Sequence, residues 1–402
     1  MAMTSVETAL ATVLDGVEPI GVERVPLASA NGRVLAQDLV ARRTQPPFTA
    51  AAMDGWALRA VDAAAPNTRL AIVGESAAGH RHDGALGPGE TIRIFTGAPM
   101  PEGADTVVMQ EHATRDGDVL LLADPAAPGR HVRAAGIDFR EGDVGISAGT
   151  RLGWTNLGLA AAMNHAELAV WRRPRIGFLA TGDELVRPGE IPGPDQIVAS
   201  NGYALAAQIE AAGGVPIDLG IAPDDLEATR AAIRAGFETG IDALVTLAGA
   251  SVGDHDVVHA ALRAEGVDFA FWKIAMRPGK PLMFGRRGTT RVLGLPGNPA
   301  ASLVCGVVYV APLVRALSGL ADPAPSTAMV PLAAPLPGND IRQDYLRGRL
   351  VVDAEGHLVA APVDSQDSSL LSRFSAANVL IVRPPHAPAA SVGDRVAVVR
   401  FD

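Results

Sequence analysis

Residues 175–184 read RIGFLATGDE. The run of apolar and small residues from Ile176 to Ala180, followed by a turn, is typical of a strand buried on both faces of a parallel sheet. Helix and strand patterns alternate onward to residue 317. The predicted helices are Asn201–Ala212, Asp224–Glu238, His255–Glu265 and Pro299–Leu317, and the predicted strands are Val215–Ile221, Ala243–Leu247, Phe269–Ile274, Leu282–Phe284 and Arg291–Leu295. This alternation predicts a doubly wound parallel sheet over residues 173–322.

The residues on either side have a different pattern. Residues 43–137 contain short apolar strands separated by Pro, Gly and Asp, and residues 323–402 contain hairpin patterns. We expect a helix in residues 138–172 to pack back on an amphipathic helix in residues 1–42, which makes these two stretches one discontinuous N-terminal domain. The predicted fold class is therefore multidomain α/β and β, with a central doubly wound α/β domain, β-rich N-terminal domains and a small C-terminal β domain.

The composition excludes several kinds of protein. The chain has 402 residues and a formal net charge of −10, which argues against non-specific nucleic-acid binding. Its single cysteine, Cys305, lies in an apolar stretch, which predicts core packing rather than a disulfide or a zinc site. Residues 4–7 read as a capping box at the start of a helix, with Thr4 as the cap, and not as a signal peptide. We expect no apolar run long enough to span a bilayer, and therefore a cytoplasmic protein without a membrane partner.

Four loops follow predicted strands of the central sheet. Ligands of open parallel sheets bind outside the carboxyl ends of the strands, so these loops should form one site. They are Thr181-Gly182-Asp183-Glu184, residues 248–256, Arg277-Pro278-Gly279-Lys280-Pro281 and Leu295–Ser302. Their glycines let the backbone approach phosphate oxygens, and Lys280 stands between two prolines that fix its backbone. At the fourth loop, Asn298 is a good N-cap and Pro299 a good first helical residue, so free N–H groups there attract an anion.

Carboxylates stand beside these anion-binding features. Those that would repel a phosphate directly are Asp183, Glu184, Asp254 and Asp256. Mg²⁺ resolves the conflict, because it binds one or two carboxylates together with phosphate oxygens. Each loop alone is better explained by ordinary turn and cap geometry, but the four together predict a site for a phosphorylated, anionic small molecule with Mg²⁺.

One loop also matches a different enzyme class. Gly249-Ala250-Ser251-Val252-Gly253 has the G-x-S-x-G pattern of a nucleophile elbow and lies between a strand and a helix. A serine hydrolase also needs a histidine downstream, and His357 and His386 lie beyond a Pro- and Ala-rich linker. The acidic residues that follow Ser251 would also hinder an attacking alkoxide, so the hydrolase stays a minor alternative.

Several segments together resemble the molybdopterin molybdenumtransferase family, which includes MoeA and the E-domain of gephyrin. The similar segments follow the family order along nearly the whole chain: Pro46-Pro47-Phe48 with Met53-Asp54-Gly55, Thr96-Gly97-Ala98-Pro99 with Gly103-Ala104-Asp105, Thr181–Leu185, Ser251-Val252-Gly253-Asp254, Pro278-Gly279-Lys280-Pro281 and Leu295-Pro296-Gly297-Asn298-Pro299.

The resemblance implies an activity and partners. The substrates would be adenylylated molybdopterin and molybdate, the products AMP and molybdenum cofactor, and Mg²⁺ would be required. It implies four domains: residues 1–42 with 138–172 for dimerisation, 43–137 as a β-rich insertion, 173–322 for molybdopterin binding and 323–402 at the C-terminus. It also implies an elongated homodimer and contacts with molybdopterin adenylyltransferase and molybdoenzyme chaperones.

The resemblance also implies roles for individual residues. The catalytic positions would be Asp54, Thr96, Asp138, Glu184, Asp225 (or its neighbour Asp224) and Asp256. The metal ligands would be Glu184, Asp254 and Asp256. The substrate-binding positions would be Thr181, Gly182, Asp183, Gly249, Ser251, Gly253, Lys273, Arg277, Lys280, Pro281, Gly297, Asn298, Ser302, Arg347 and Ser372 (or Ser375). Among these, Arg277, Lys280, Ser302 and Arg347 are the expected contacts of the molybdate dianion.

The chain departs from the family pattern at three places. The family loop usually reads Ser/Thr-Gly-Gly-Val-Ser, and here Ala248 places a Cβ where a glycine is usual. Arg277 replaces a usual lysine, and Trp56 replaces a usual tyrosine. Two alternatives remain open: a non-catalytic molybdopterin-binding scaffold, and a molybdopterin adenylyltransferase. The preference between molybdate and tungstate is also open.

Overall fold

The computed structural model describes residues 3–248 and 257–401. Its first element is helix α1 (Val6–Leu14), whose N-cap Ser5 accepts a hydrogen bond from the backbone N–H of Thr8. The sequence predicted Thr4 as the cap. The helix starts one residue later because Thr4 forms a β-bridge with Ile274 of the central domain.

The region after α1 consists mostly of short strands, six of which form one sheet. They are β1 (Val22–Pro26), β2 (Leu39–Val40), β3 (Ala50–Ala51), β4 (Gly55–Leu58), β5 (Arg69–Ser76), β6 (Glu90–Ile94), β7 (Thr106–Met109), β8 (Ala113–Asp116), β9 (Val119–Leu122), β10 (Val132–Arg133) and β11 (Val144–Ile146), and after them α2 (Trp154–Ala162) and β12 (Glu167–Trp171). The sheet has the order β7-β4-β6-β5-β9-β8. Strand β1 pairs with β12 and β2 with β11, so the chain leaves a small β layer, builds the sheet and returns.

The central α/β region begins at β13. Its elements are β13 (Arg175–Thr181), β14 (Leu185–Val186), β15 (Ile197–Val198), α3 (Asn201–Ala211), β16 (Val215–Ala222), α4 (Leu226–Glu238), β17 (Ala243–Leu247), α5 (Val257–Ala264), β18 (Asp268–Phe271), β19 (Met276–Arg277), β20 (Met283–Arg287), β21 (Thr290–Leu295), α6 (Pro299–Cys305) and α7 (Ala311–Leu317). The sheet order is β16-β13-β17-β21-β20-β18.

The predicted parallel sheet is confirmed for β16, β13, β17 and β21. Strand β20 instead runs antiparallel to β21, and β18 antiparallel to β20. The reason is the tight turn between β20 and β21, where Gly288 has a φ of +56°; a short hairpin connection can join only antiparallel strands.

Helices α6 and α7 continue through a π-helical turn (Gly306–Val310) as one apolar helix. This helix is long and apolar enough to cross a membrane, but 78% of its most apolar stretch is buried inside the protein. The expectation that no apolar run reaches that length was therefore wrong, and core packing explains the composition. Helix α1 packs into the same core through Val6, Ala9 and Val13, whereas α2 packs with β1 and β2. The expected contact between α1 and α2 is thus replaced by two separate cores.

The C-terminal region is a second β layer. It contains β22 (Thr327–Pro331), β23 (Gln343–Val352), β24 (Leu358–Pro362), α8 (Leu371–Ser375), β25 (Val379–Arg383) and β26 (Arg395–Arg400). Strand β19 of the central region joins this layer beside β23, in the order β19-β23-β25-β26-β22. The predicted fold class, a central α/β domain between β-rich regions, is confirmed.

Candidate active site

A cleft of about 860 Å³ opens at the carboxyl edge of the central sheet. The ends of β13, β17 and β21 form its floor, as is general for open α/β sheets. The first turn of α3 and the segment after β18 form its walls. The predicted site residues that line it are Glu184, Lys273, Lys280, Pro281, Gly297 and Asn298.

The turn after β13 presents Glu184 to the cleft. Thr181 is buried at the strand end, and Gly182 has a φ of +145°. A Cβ at Gly182 would collide with the Glu184 carboxylate, so glycine allows that side chain to fold back over the turn. Asp183 points elsewhere and accepts a hydrogen bond from the backbone N–H of Asp224 at 3.2 Å. Asp225 caps α4 by accepting from the N–H of Ala228, which is an ordinary N-cap contact.

The segment between β18 and β20 carries both ammonium groups of the cleft. The chain has two lysines, Lys273 and Lys280, and both line this cavity. The backbone N–H of Ile274 donates to the carbonyl of Lys280 at 3.0 Å, so the segment closes on itself and holds both side chains. Among the described residues, neither ammonium has an ion-pair partner. Two ammonium groups and one carboxylate, that of Glu184, thus line the cleft, so its described residues carry a net positive charge.

Arg277 lies in the same segment but contacts a different region. Its Nε and Nη2 donate to the two carboxylate oxygens of Asp344 at 2.9 and 2.5 Å. Asp344 is buried, and the backbones of the two residues are paired where β19 meets β23. The guanidinium fork therefore ties the lysine segment to the C-terminal sheet, and in this structure it is occupied there rather than in the cleft.

The turn before α6 joins three parts of the molecule. The Nδ2 of Asn201, at the start of α3, donates to the carbonyl of Gly297 at 2.8 Å. The Nδ2 of Asn298 donates to Ser368 Oγ at 3.2 Å, and Ala300 N to Ser368 O at 3.0 Å. This turn, and with it Gly297 and Asn298, is therefore fixed on both sides.

Two predicted oxyanion contacts, Ser302 and Arg347, are buried and do not line the cleft. Ser302 is almost fully buried on α6, and its Oγ has no hydrogen-bond partner among the described residues. Arg347 is fully buried on β23; its Nη2 donates to Ser365 O at 3.3 Å, while Nε and Nη1 have no partner in the part of the chain that the structure describes. Burial lowers the pKa of this guanidinium, and the carboxylate of Asp367 opposes that effect. Buried donors without a partner are unusual, and a catalytic role, a bound ion or a bound water is among their explanations.

Ala248, the position of the family departure, lines the cleft at the end of β17. Its φ is +82°, in the left-handed region that favours glycine. Its Cβ lies 3.4 Å from where a Cβ on Gly297 would stand. The backbone thus keeps the glycine conformation although the residue is alanine.

Other predicted catalytic residues lie outside the cleft. Asp54 and Thr96 meet at the ends of β4 and β6, where Asp54 Oδ1 accepts from both the N–H and the Oγ1 of Thr96, at 2.7 Å each. These hydrogen bonds lower the pKa of Asp54. Asp138 is exposed in the loop before β11, where its N–H donates to the carbonyl of Gln45. Ser372 is exposed on the short helix α8.

Several predictions fall in the loop after β17. Gly249, Ser251, Gly253, Asp254 and Asp256 lie outside the described residues, as does the nucleophile elbow of the hydrolase alternative. Within residues 3–248 and 257–401, no three His, Cys, Asp or Glu side chains converge as metal ligands.

The cleft also contains residues that were not predicted as site residues. Ser200 and Asn201 line it from the start of α3, Ile197 and Val198 from β15, and Ser369 from the C-terminal region. The sequence presents Ser200 and Asn201 only as helix caps. Ser369 reaches the cleft through the contacts of Ser368 with the α6 turn, which no local pattern shows.

Comparisons with known proteins cover the whole chain. Family models match for the MoeA N-terminal region (domain I and II) over residues 4–164, a probable molybdopterin binding domain over 177–316 and the MoeA C-terminal region (domain IV) over 329–401. A molybdopterin molybdenumtransferase of Haemophilus influenzae is 33% identical over 96% of this chain and 95% of its own length. One of Nostoc sp. is 36% identical over 94% of this chain and 88% of its own length.

A solved structure agrees with these matches. The molybdopterin biosynthesis MoeA protein of Pyrococcus horikosii is 31% identical and has a TM-score of 0.84, covering 100% of both chains. The motifs that suggested the family in the sequence therefore lie in a chain that matches it in sequence and in fold from end to end: the chain belongs to the molybdopterin molybdenumtransferase (MoeA) family.

Proposed function

We propose that this enzyme of molybdenum cofactor biosynthesis inserts molybdate into adenylylated molybdopterin and releases AMP and molybdenum cofactor. One observation carries the proposal: both lysines of the chain line one cleft of about 860 Å³, together with Glu184, at the carboxyl edge of the sheet. The names of the relatives support molybdenum insertion into molybdopterin. The adenylylated form of the substrate and the release of AMP are what the family resemblance implies, and the two ammonium groups of the cleft suit the phosphates of such a substrate.

The lysines suit an oxyanion substrate. An ammonium is a compact, strongly hydrated charge with three rotatable donors, so it can turn toward the oxygens of a tetrahedral dianion. Lys273 and Lys280 would attract molybdate and the diphosphate of the nucleotide, and offset their mutual repulsion. Arg347 and Ser302 are buried and do not line the cleft, so they would contact the oxyanion only if the residues that cover them move. Arg277 would act through Asp344 by holding the lysine segment in place.

Mg²⁺ fits the donors that the cleft offers. The carboxylate of Glu184, the hydroxyl of Ser200 and the amide oxygen of Asn201 are hard oxygen ligands that line the same cavity. Mg²⁺ usually takes one or two carboxylates together with phosphate oxygens and water. Glu184 would hold the ion, joined by Asp254 and Asp256 of the loop after β17. When bound, the ion would polarise the phosphoanhydride.

The protein groups then have separate tasks. The lysines bind and orient the two anions so that the dithiolene sulfurs face the molybdate oxygens that they replace. A carboxylate of the cleft, Glu184 or Asp256, orients the water that cleaves the anhydride and accepts its proton. Asp54, Thr96 and Asp138 lie on other elements, and their proposed catalytic role requires that the β-rich region of one protomer approach the cleft of another in a homodimer.

The remaining parts of the proposal concern location and partners. We place the enzyme in the cytoplasm, consistent with a fully buried Cys305, whose thiol pKa is raised by burial. Molybdopterin adenylyltransferase would supply the substrate, and molybdoenzyme chaperones would receive the product.

A single-turnover experiment tests the function. Purified protein is mixed with adenylylated molybdopterin, Mg²⁺ and molybdate, and both AMP release and metal insertion are followed. Molybdate-dependent AMP release that stops when Mg²⁺ is chelated is the expected result. Tight binding of the pterin without AMP release would contradict the proposal and favour a scaffold, and a parallel reaction with tungstate measures the oxyanion preference.

A further inference from the structure

A second cavity of about 270 Å³ lies on the other side of the cleft wall. It is bounded by the edge strand β16, by α3 and by the turn at Arg187 and Pro188. Ala180, Ala199 and Gly202 line both this cavity and the cleft. Gly202 allows close packing at this place, because a Cβ there would lie 3.1 Å from the ring of Phe178. The two cavities therefore adjoin at three small residues.

The second cavity has aromatic and flat walls. Phe178 lines it from the sheet, and Tyr203 lines it from the first turn of α3 with 60% of its surface exposed. Pro188 and Pro216 add rigid apolar surface. A slot with aromatic rings and prolines on its sides suits a planar ring system, because aromatic rings stack and prolines resist collapse.

The backbone of β16 is distorted at this slot. Phe178 of β13 is opposite Asp218, but Ala180 is opposite Ile221, so β16 contains one extra residue between them. Gly220 in this bulge has a φ of +92°, and its N–H donates to Asp218 Oδ1 at 2.8 Å. Bulges re-aim side chains and occur often beside binding sites. Here the bulge fixes the Asp218 carboxylate at the mouth of the slot.

Asp218 is joined at the mouth by a guanidinium. Arg187 Nη1 lies 3.4 Å from Asp218 Oδ2, and the two side chains are 51% and 49% exposed. Such a long, half-exposed pair contributes little to stability and leaves donors and an acceptor free for a ligand. A carboxylate accepts from an exocyclic amino group, and a guanidinium donates to a ring nitrogen or a carbonyl oxygen.

We propose that this slot binds the amino-bearing fused heterocycle of the substrate. The inference rests on the proposed function, whose substrate has two such ring systems, adenine and the pterin. The described residues that line the cleft include no aromatic side chain, so the charged groups and the flat rings of one ligand divide between two adjoining cavities. The ring stacks on Tyr203, its amino group donates to Asp218, and its phosphates extend past the shared residues Ala199 and Gly202 toward Lys280 and Lys273.

Binding measurements test this inference without turnover. Isothermal titration of the full chain compares AMP with ribose 5-phosphate, and fluorescence titration follows a simple pterin. We expect AMP or the pterin to bind the wild type, and Tyr203→Ala to weaken that ligand by about fivefold or more, within the range of base stacking on one aromatic residue. Tyr203→Phe keeps the ring and should retain the affinity, and ribose 5-phosphate should be unaffected by either change.

The results separate the two rings and the two proposals. A loss confined to AMP assigns the slot to adenine, and a loss confined to the pterin assigns it to the pterin. Equal affinity of the wild type and Tyr203→Ala for both, or no measurable binding of either ring by the wild type, would overturn the inference. Because Tyr203 is exposed, unchanged thermal unfolding of Tyr203→Ala excludes misfolding. Failure of AMP release with the ring affinities intact would contradict the proposed function and leave the slot assignment standing.

Discussion

The cleft at the edge of the central sheet and the Asp54–Thr96 corner of the β-rich region differ in whether their charged groups have partners within the protein. The corner brings together two strand ends of one sheet, and its carboxylate is satisfied by two hydrogen bonds from Thr96. The cleft is assembled from the ends of β13, β17 and β21, the first turn of α3, the lysine segment and the C-terminal region. Its ammonium groups have no ion-pair partner among the described residues. An internally satisfied charge stabilises a turn, whereas an unsatisfied one is available to a ligand.

The largest effect is expected at Lys280. Lys280→Met keeps the apolar stem and removes the charge, and we expect turnover to fall about 100-fold or more, because one group that stabilises developing negative charge is lost. The residue is exposed, so the free energy of unfolding should change by no more than about 0.5 kcal/mol. Single-turnover AMP release and thermal unfolding of the same preparations measure both.

A second variant and a chemical modification serve as controls for that change. Lys280→Arg keeps the charge on a planar fork and should recover part of the activity. Mild acetylation of the wild type should modify Lys273 and Lys280 as its only lysines, and molybdate should slow that modification. Full activity of Lys280→Met, or acetylation at an unchanged rate with molybdate, would show that the cleft does not bind the oxyanion through these groups.

The next effect concerns the ion pair between Arg277 and Asp344. Asp344→Ala leaves the Arg277 guanidinium without its bidentate partner at the junction of β19 and β23, and we expect the free energy of unfolding to fall by about 1–3 kcal/mol. The exposed pair of Arg373 and Asp364 is the control, and Asp364→Ala should have much less effect. Urea unfolding gives both values, and equal losses would show that the burial of Asp344 gives its pair no special role.

A smaller effect is expected at Ala248. A non-glycine residue in the left-handed region costs roughly 1–2 kcal/mol, so Ala248→Gly should raise the free energy of unfolding by about 1 kcal/mol. Denaturant unfolding of the wild type and of Ala248→Gly measures this difference. A less stable Ala248→Gly would mean that flexibility gained by the unfolded chain outweighs the relieved strain.

The sequence predicted the cleft better than the contacts behind it. Parallel strands end at one edge, so Glu184, Lys280 and Asn298 could be placed together from the alternation of helices and strands alone. The antiparallel course of β20 was missed, because a short apolar run shows no direction. The fact that both lysines of the chain lie in one motif is visible in the sequence and would have strengthened the prediction.

The long-range contacts could not be predicted from the sequence. The partner of Arg277 is Asp344, 67 residues away, and no local pattern links them. The same holds for Ser369, which reaches the cleft because the C-terminal region folds back over α6. Arg347 and Ser302 were predicted from the family motifs, but their burial without partners depends on how β23 and α6 pack, which periodicity cannot give. Tyr203 was missed because one aromatic residue in an Ala-rich helix has no distinctive pattern.

The smallest effect is expected at the Asp54–Thr96 corner, where the melting temperature should depend on pH. Hydrogen bonds from the N–H and the hydroxyl of Thr96 lower the pKa of Asp54 below its usual 3.8. A depressed folded-state pKa stabilises the protein above the unfolded-state pKa, and this contribution is lost as the pH falls through the lower, folded-state value. Thr96→Val removes the hydroxyl donor, so its melting temperature should lie below that of the wild type, by at most about 2 °C, above about pH 4, with the gap closing in stronger acid. Asp54→Asn retains an acceptor without the titration, so adding Thr96→Val to it should lower the melting temperature by an amount that does not vary with pH. A gap between wild type and Thr96→Val that is constant from pH 2 to 7 would mean that the Asp54 charge is not what these hydrogen bonds stabilise, and the contrast with the lysines of the cleft would fail at this corner.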